Sequence, residues 1–269
     1  MSSYALITGA SKGLGKSMAE QLAKRKYNLL LVARSEKELE ALSRFLSHTY
    51  NVAVTYLAID LSLPEAAQKV YDWCNRPGFN ISILINNAGY GLWGKFHEQS
   101  LESQLNMLQL NMQSLVALTY KIIPLLQQQP ESYILNVSST SAYQAVPTLS
   151  LYAASKVFVL SFTRGLRHEW KNKGITVCCL CPGPINTGFI DRAGLTSIKA
   201  TAERFGMHPD EVAASAIKGM FRKKAEMIPG IINYLSAMAT RIFPKVMVEN
   251  IAAGLYKKAT PVAPANTNT

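Results

Sequence analysis

Cysteine is scarce in this chain. Of only four in 269 residues, Cys178, Cys179 and Cys181 crowd one apolar run, where they read as small buried groups. Side chains alternate across a strand and do not converge on one ion, so no thiol metal site is expected. Histidine is equally rare. His48, His97, His168 and His208 stand in no recognised hydrolase motif, and no Gly-x-Ser-x-Gly elbow is present, which sets acyl transfer from a serine aside. Acids are also in deficit, 17 against 28 Lys and Arg for a net charge of +11. No recognised nucleic-acid motif accompanies that charge, so nucleic acid is not an expected partner. The first strand pattern starts within a few residues of Met1, which leaves no room for a secretory signal and leads to an expected cytoplasmic location. No linker or internal repeat interrupts the chain.

What is present is apolar and periodic. About half the residues are hydrophobic, at 48%, ample for the core of one large domain. Strand-like runs at Tyr4 to Thr8, Asn28 to Ala33, Val52 to Ile59, Ile81 to Asn86, Ser132 to Val137 and Ile175 to Cys181 alternate with longer amphipathic stretches. That alternation predicts a parallel sheet covered by helices on both faces, with a short seventh strand at Ala225 to Ile228. Residues 1–258 read as one α/β domain with a helical extension from about 229, and 259–269 as a disordered tail.

Two motifs carry chemistry. In Tyr152-Ala153-Ala154-Ser155-Lys156 a helix would place the phenol and the ammonium on one face, and a fixed positive charge favours the phenolate. An ordinary exposed helical pair is the plainer alternative. Thr8-Gly9-Ala10-Ser11-Lys12-Gly13-Leu14-Gly15 lies between the first strand and a helical pattern from Lys16 to Arg25. A glycine turn there lets backbone approach a pyrophosphate at a helix N-terminus.

Together these motifs resemble the short-chain dehydrogenase/reductase family, whose marks are Thr-Gly-x3-Gly-x-Gly near the start and Tyr-x3-Lys past the middle. Other marks follow in order: Asn86-Asn87-Ala88-Gly89, Asn111, Ser139 thirteen residues before Tyr152, then Pro182-Gly183 and Thr187. The resemblance covers roughly the first 220 residues and implies a single Rossmann-like, doubly wound sheet. It further implies an oxidoreductase that moves a hydride between a nicotinamide cofactor and a carbonyl or alcohol, commonly as a homodimer or homotetramer. Ser139 and Tyr152 would then donate to the carbonyl oxygen. Lys156 would lower the tyrosine pKa and bind the nicotinamide ribose, and Asn111 would hold a water linking the lysine to solvent. A dinucleotide-responsive binding or scaffold protein without important turnover is the alternative.

Cofactor preference is read after the second strand. An acid about 20 residues beyond the glycine turn suits NAD, whereas Arg34 stands there and Lys12 precedes Gly13, a pair suited to the 2′-phosphate of NADPH. Both could instead be solvated charges, and Glu36 could reach the ribose. Asp60-Leu61 resembles the family's adenine contact, although Asp60 could equally cap a helix near Pro64. The apolar sets Tyr90, Leu92, Trp93, Phe96 and Phe189, Ile190, Leu195, Ile198, Phe205, Met207 lie beyond strand ends, where a lipophilic ketone, 3-oxoacyl or steroid-like substrate would sit. Ordinary loop packing remains open for both sets. Ile231 to Phe243 and Val246 to Tyr256 form two further helical stretches, neither near the roughly 20 apolar residues of a membrane span. They are expected to cover the substrate pocket or extend a subunit interface, with peripheral lipid contact as the less favoured use.

Overall fold

The computed structural model describes residues 3–186 and 206–257. Seven strands form one parallel sheet: β1 (Tyr4–Thr8), β2 (Asn28–Ala33), β3 (Val54–Ala58), β4 (Ile81–Asn86), β5 (Ser132–Val137), β6 (Ile175–Leu180) and β7 (Glu226–Met227). Their order is β3-β2-β1-β4-β5-β6-β7. Strand order reverses between β1 and β4, which opens a crevice at their C-terminal ends.

Burial on both faces explains the continuous apolar runs. Ala5 and Ile7 of β1 enter one core with Leu29 and Leu31 of β2, and Leu6, Leu30 and Val32 enter the other. The first core is covered by α1 (Gly13–Ala23), α2 (Glu36–Tyr50) and α7 (Pro209–Phe221), through Met18, Leu22, Leu39, Leu46, Ile217 and Met220. The second is covered by α3 (Ala66–Cys74), α5 (Leu115–Leu126) and α6 (Ser150–Glu169), through Val70, Trp73, Leu118, Ile122 and Leu166. A polar chain runs inside this apolar frame. Asn86 Nδ2 donates to Thr119 Oγ1 at 2.9 Å and to Asn136 Oδ1 at 2.8 Å, and Asn136 Nδ2 donates to Thr163 Oγ1 at 3.0 Å. All four side chains are buried, so each needs its partner, and together they lock β4 and β5 to α5 and α6.

α4 (Leu101–Leu108) passes into a π-helical turn, Gln109–Ser114, before α5. After β7 come α8 (Ile231–Ile242) and α9 (Lys245–Lys257), as expected from their apolar stretches. Strand ends move slightly: β3 lacks Val52, Ala53 and Ile59, β6 stops before Cys181, and β7 has two residues. One expectation about thiols is corrected. Cys179 in β6 and Cys181 just past its end point the same way and bring their sulfurs within 3.7 Å, while Cys178 lies in the core on the opposite face. A pair is still too few for a metal, and no cluster of three or more ligating side chains occurs among the described residues.

Candidate active site

The glycine turn between β1 and α1 is built from close approaches. Gly9 has φ +64°, and a Cβ there would lie 2.8 Å from Asn87 Nδ2 and 3.0 Å from the Ala88 Cα. At Gly15 a Cβ would meet Asn87 Nδ2 at 2.6 Å and the Gly9 carbonyl oxygen closer still. Asn87 holds this turn in place. Its Nδ2 donates to the carbonyls of Thr8 at 3.0 Å and Gly9 at 3.2 Å, while the backbone N–H groups of Asn87 and Ala88 both donate to Thr8 Oγ1 at 3.0 Å. The first N–H groups of α1, from Gly13 to Gly15, precede the first intrahelical bond, Lys16 N to Lys12 O, and have no partner within the helix. Gly15→Ala should therefore lower stability by about 1–3 kcal/mol, because backbone must move to admit one methyl. A urea midpoint equal to wild type would show that the contact yields freely.

At the far end of the crevice, Arg34 follows β2 and faces Asp60 across a 3.8 Å separation between Nη1 and Oδ2. Asp60 does not cap α3: its Oδ1 accepts from the Ser62 N–H at 2.9 Å and hydroxyl at 2.8 Å, and Glu65 occupies the helix N-cap. Lys12 Nζ meets Glu38 Oε1 at 2.5 Å, and that ammonium pulls the Glu38 carboxyl below its ordinary value. Glu38, not Glu36, thus faces the crevice. Sequence reasoning missed it; its one signal is a position two residues further round the first turn of α2.

At the other end of the crevice, α6 carries Tyr152 and Lys156 one turn apart, as expected, and both are buried at its first turns. Lys156 Nζ donates to the Val137 carbonyl at 3.0 Å and lies 5.7 Å from the centre of the Tyr152 ring. Burial lowers the Lys156 ammonium to about 8. Ser139 sits just past β5, where its Oγ accepts the Ser141 N–H at 3.1 Å, so its own hydrogen remains to be donated. Ser138 and Ser155 secure the backbone around them: Ser138 Oγ donates to Lys156 O and Ser155 Oγ to Tyr152 O, each at 2.7 Å.

Asn111 lies in the π-helical turn, a form that recurs at functional sites. Its side-chain amide is held within the protein, and the water expected of Asn111 would be held by an oxygen, not by the amide hydrogens. Nδ2 donates to Tyr90 O at 2.9 Å and Ser155 Oγ at 3.1 Å, and Oδ1 accepts from Tyr90 N at 3.1 Å. Both amide hydrogens are spent, so the side chain braces the loop after β4 against α6. Gly89 permits this: a Cβ there would approach Asn111 Oδ1 to 2.8 Å and Lys156 Nζ to 3.5 Å.

One cavity of about 960 Å³ joins the two ends. Gly9, Ser11, Lys12, Gly13 and Leu14 line it at the turn, and Arg34, Asp60 and Leu61 at the far end. Asn87, Ala88 and Gly89 form its floor, with Ser139, Tyr152, Lys156, Pro182 and Gly183 at the other end. Gly15 and Asn111 brace it from behind. Thr187 lies outside the described residues, as do Phe189, Ile190, Leu195, Ile198 and Phe205. Of the expected apolar wall, Tyr90 and Leu92 line the cavity, Trp93 packs beneath Tyr152, and Phe96 faces solvent. Met207 is half-buried and bridges to Ile185, a lining residue. Asn233, Ser236, Ala237 and Thr240 of α8 complete the wall, so the extension covers the cavity.

The profile of the short chain dehydrogenase family matches residues 3–196. The very-long-chain 3-oxoacyl-CoA reductase-A of Danio rerio is 34% identical over 206 residues, which is 75% of this chain and 64% of that protein's length. Among solved structures, a short-chain dehydrogenase from Sphingobium yanoikuyae in complex with NADPH aligns over 99% of both chains, with TM-score 0.80 and 30% identity. A bulky-bulky ketone specific alcohol dehydrogenase from Comamonas testosteroni aligns over 89% of this chain and 92% of that one, with TM-score 0.75 and 28% identity.

Proposed function

The chain belongs to the short-chain dehydrogenase family, and from that premise we propose that it reduces a lipophilic ketone, of 3-oxoacyl or steroid-like kind, with NADPH, or runs the reverse oxidation. The observation that carries this is the joining of Ser139, Tyr152 and Lys156 to the glycine turn through one cavity at the strand-order reversal. The cavity fits a dinucleotide. Gly9 and Gly15 leave a cradle that a Cβ would fill, free N–H groups of α1 suit the pyrophosphate, and Lys12 and Arg34 suit a 2′-phosphate. The relative with NADPH and the two that act on bulky ketone or 3-oxoacyl groups support the same assignment.

When bound, the reduced nicotinamide supplies a hydride to the carbonyl carbon. Negative charge then gathers on the substrate oxygen, where the Ser139 hydroxyl donates a hydrogen bond and the Tyr152 hydroxyl donates its proton. The Lys156 ammonium stabilises the phenolate left behind. Its two N–H groups not given to Val137 remain for the ribose and for return of a proton.

Consumption of NADPH by the purified protein over a panel of lipophilic ketones, 3-oxoacyl esters and steroids tests this reading. Tight NADPH binding with no turnover on any of them would favour a dinucleotide-responsive binding protein. A homodimer or homotetramer belongs to the same proposal and rests on the family resemblance, with a cytoplasmic location proposed beside it; the mass in solution tests the assembly.

The pH profile has a defined sign. The ammonium is needed charged and titrates near 8, so kcat/KM for reduction should hold below that pH and fall as pH rises through it. Stability moves the other way. Between about 8 and the ordinary 10.5, the unfolded chain holds the Lys156 proton and the folded one releases it, so this group's contribution to folding improves as pH rises. A reduction rate that climbs steadily from pH 7 to 9 would overturn the ammonium's role.

A further inference from the structure

The usual order of an amphipathic helix is inverted in α8. Asn233, Ala237 and Thr240 line the cavity, whereas Ile231, Leu235 and Ile242 stand on the opposite face, 70%, 58% and 78% exposed. Phe243 and, in α9, Val246 and Ile251 are further apolar side chains, each about half exposed or more. An apolar helix face exposed in this way marks a contact surface. Its charge selects the occupant. Between Lys218 and Lys258 the sequence has eight basic residues against two acids. Beside the patch itself Arg241 and Lys245 are exposed, Glu249 is half-buried, and Glu226 is already engaged by Arg164, Arg241 and Tyr143. A second copy meeting this face across a twofold axis would set positive charge against the same positive charge. An anionic lipid headgroup layer meets the cations with opposite charge and takes the apolar side chains into its acyl boundary.

We infer that the outer face of α8 and α9 docks on the surface of an anionic bilayer. The contact is interfacial, because no helix among the described residues is long and apolar enough to cross a membrane. The wall of the cavity then has lipid directly behind it.

Sedimentation of the full chain with vesicles tests this without cofactor or ketone. Vesicles of phosphatidylcholine with phosphatidylglycerol should carry the protein down, vesicles of phosphatidylcholine alone should do so at least about tenfold more weakly, and salt should release it. Leu235→Glu with Ile242→Glu should abolish binding, and Lys245→Glu should weaken it about tenfold or more, with thermal unfolding midpoints near wild type in both. Lys245 is exposed and keeps the test open if the double variant fails to fold. Absence of binding to anionic vesicles, or equal binding to neutral ones, would overturn the inference. So would a dimer that dissociates in the double variant, since a second copy would then be the occupant.

Discussion

Tyr152→Phe should reduce ketone turnover by at least about a hundredfold while leaving the fold and dinucleotide affinity nearly unchanged. The ring of Tyr152 packs with Trp93, Met107, Val146, Leu149 and Ala153, and phenylalanine keeps those contacts. What is lost is the dissociable proton. Without it the developing alkoxide keeps only the Ser139 hydrogen bond, while Lys156, one of whose N–H groups goes to Val137, serves the ribose and the return of a proton rather than the carbonyl oxygen. Single-turnover measurement of NADPH oxidation separates this step from product release, and a fluorescence titration reports cofactor affinity. Turnover within about fivefold of wild type in a correctly folded variant would reject Tyr152 as the acid. Lys156→Ala should damage both readings, because the ammonium serves the phenol and the ribose together.

Most of this site was legible before the structure because its signals are local. A glycine turn after an apolar strand needs only adjacent residues to be recognised, and Tyr152 with Lys156 needs only the helical repeat. The central strands were legible for a related reason: burial on two faces leaves unbroken apolar runs, as in β4, where every residue is buried. β3 lies at the sheet edge and is only partly buried, so nothing in its pattern marked where pairing ended. What stayed hidden depends on partners distant in sequence. That Tyr90 and Ser155 take both amide hydrogens of Asn111 could not be read from its place in a helical stretch. The buried chain from Asn86 through Asn136 to Thr163 crosses two strands and two helices, and no spacing announces it. Glu38 differs from Glu36 by the rotation of α2 alone, which becomes visible once Lys12 is placed beside it.

Arg34→Asp should shift the ratio of kcat/KM values for NADPH over NADH by about a hundredfold toward NADH, a change of about 2.7 kcal/mol. Loss of a charge-assisted contact to the 2′-phosphate accounts for roughly 1.5–3 kcal/mol, and the new carboxylate adds repulsion while accepting from a 2′-hydroxyl. Fold stability should change little. Arg34 is 65% exposed and its pair with Asp60 is a long surface contact, a type that contributes at most about 1 kcal/mol. Glu38 supplies an internal control. Its carboxylate holds Lys12, so a 2′-phosphate must compete with it for the same ammonium. Glu38→Gln should accordingly tighten NADPH binding, with little effect on NADH, and do so most clearly at low salt. The two variants move the ratio in opposite directions for one reason, the net charge around the ribose end of the cavity. A wild type that already prefers NADH, or a ratio that neither variant alters, would show that Lys12 and Arg34 are solvated surface charges and that the phosphate is recognised elsewhere.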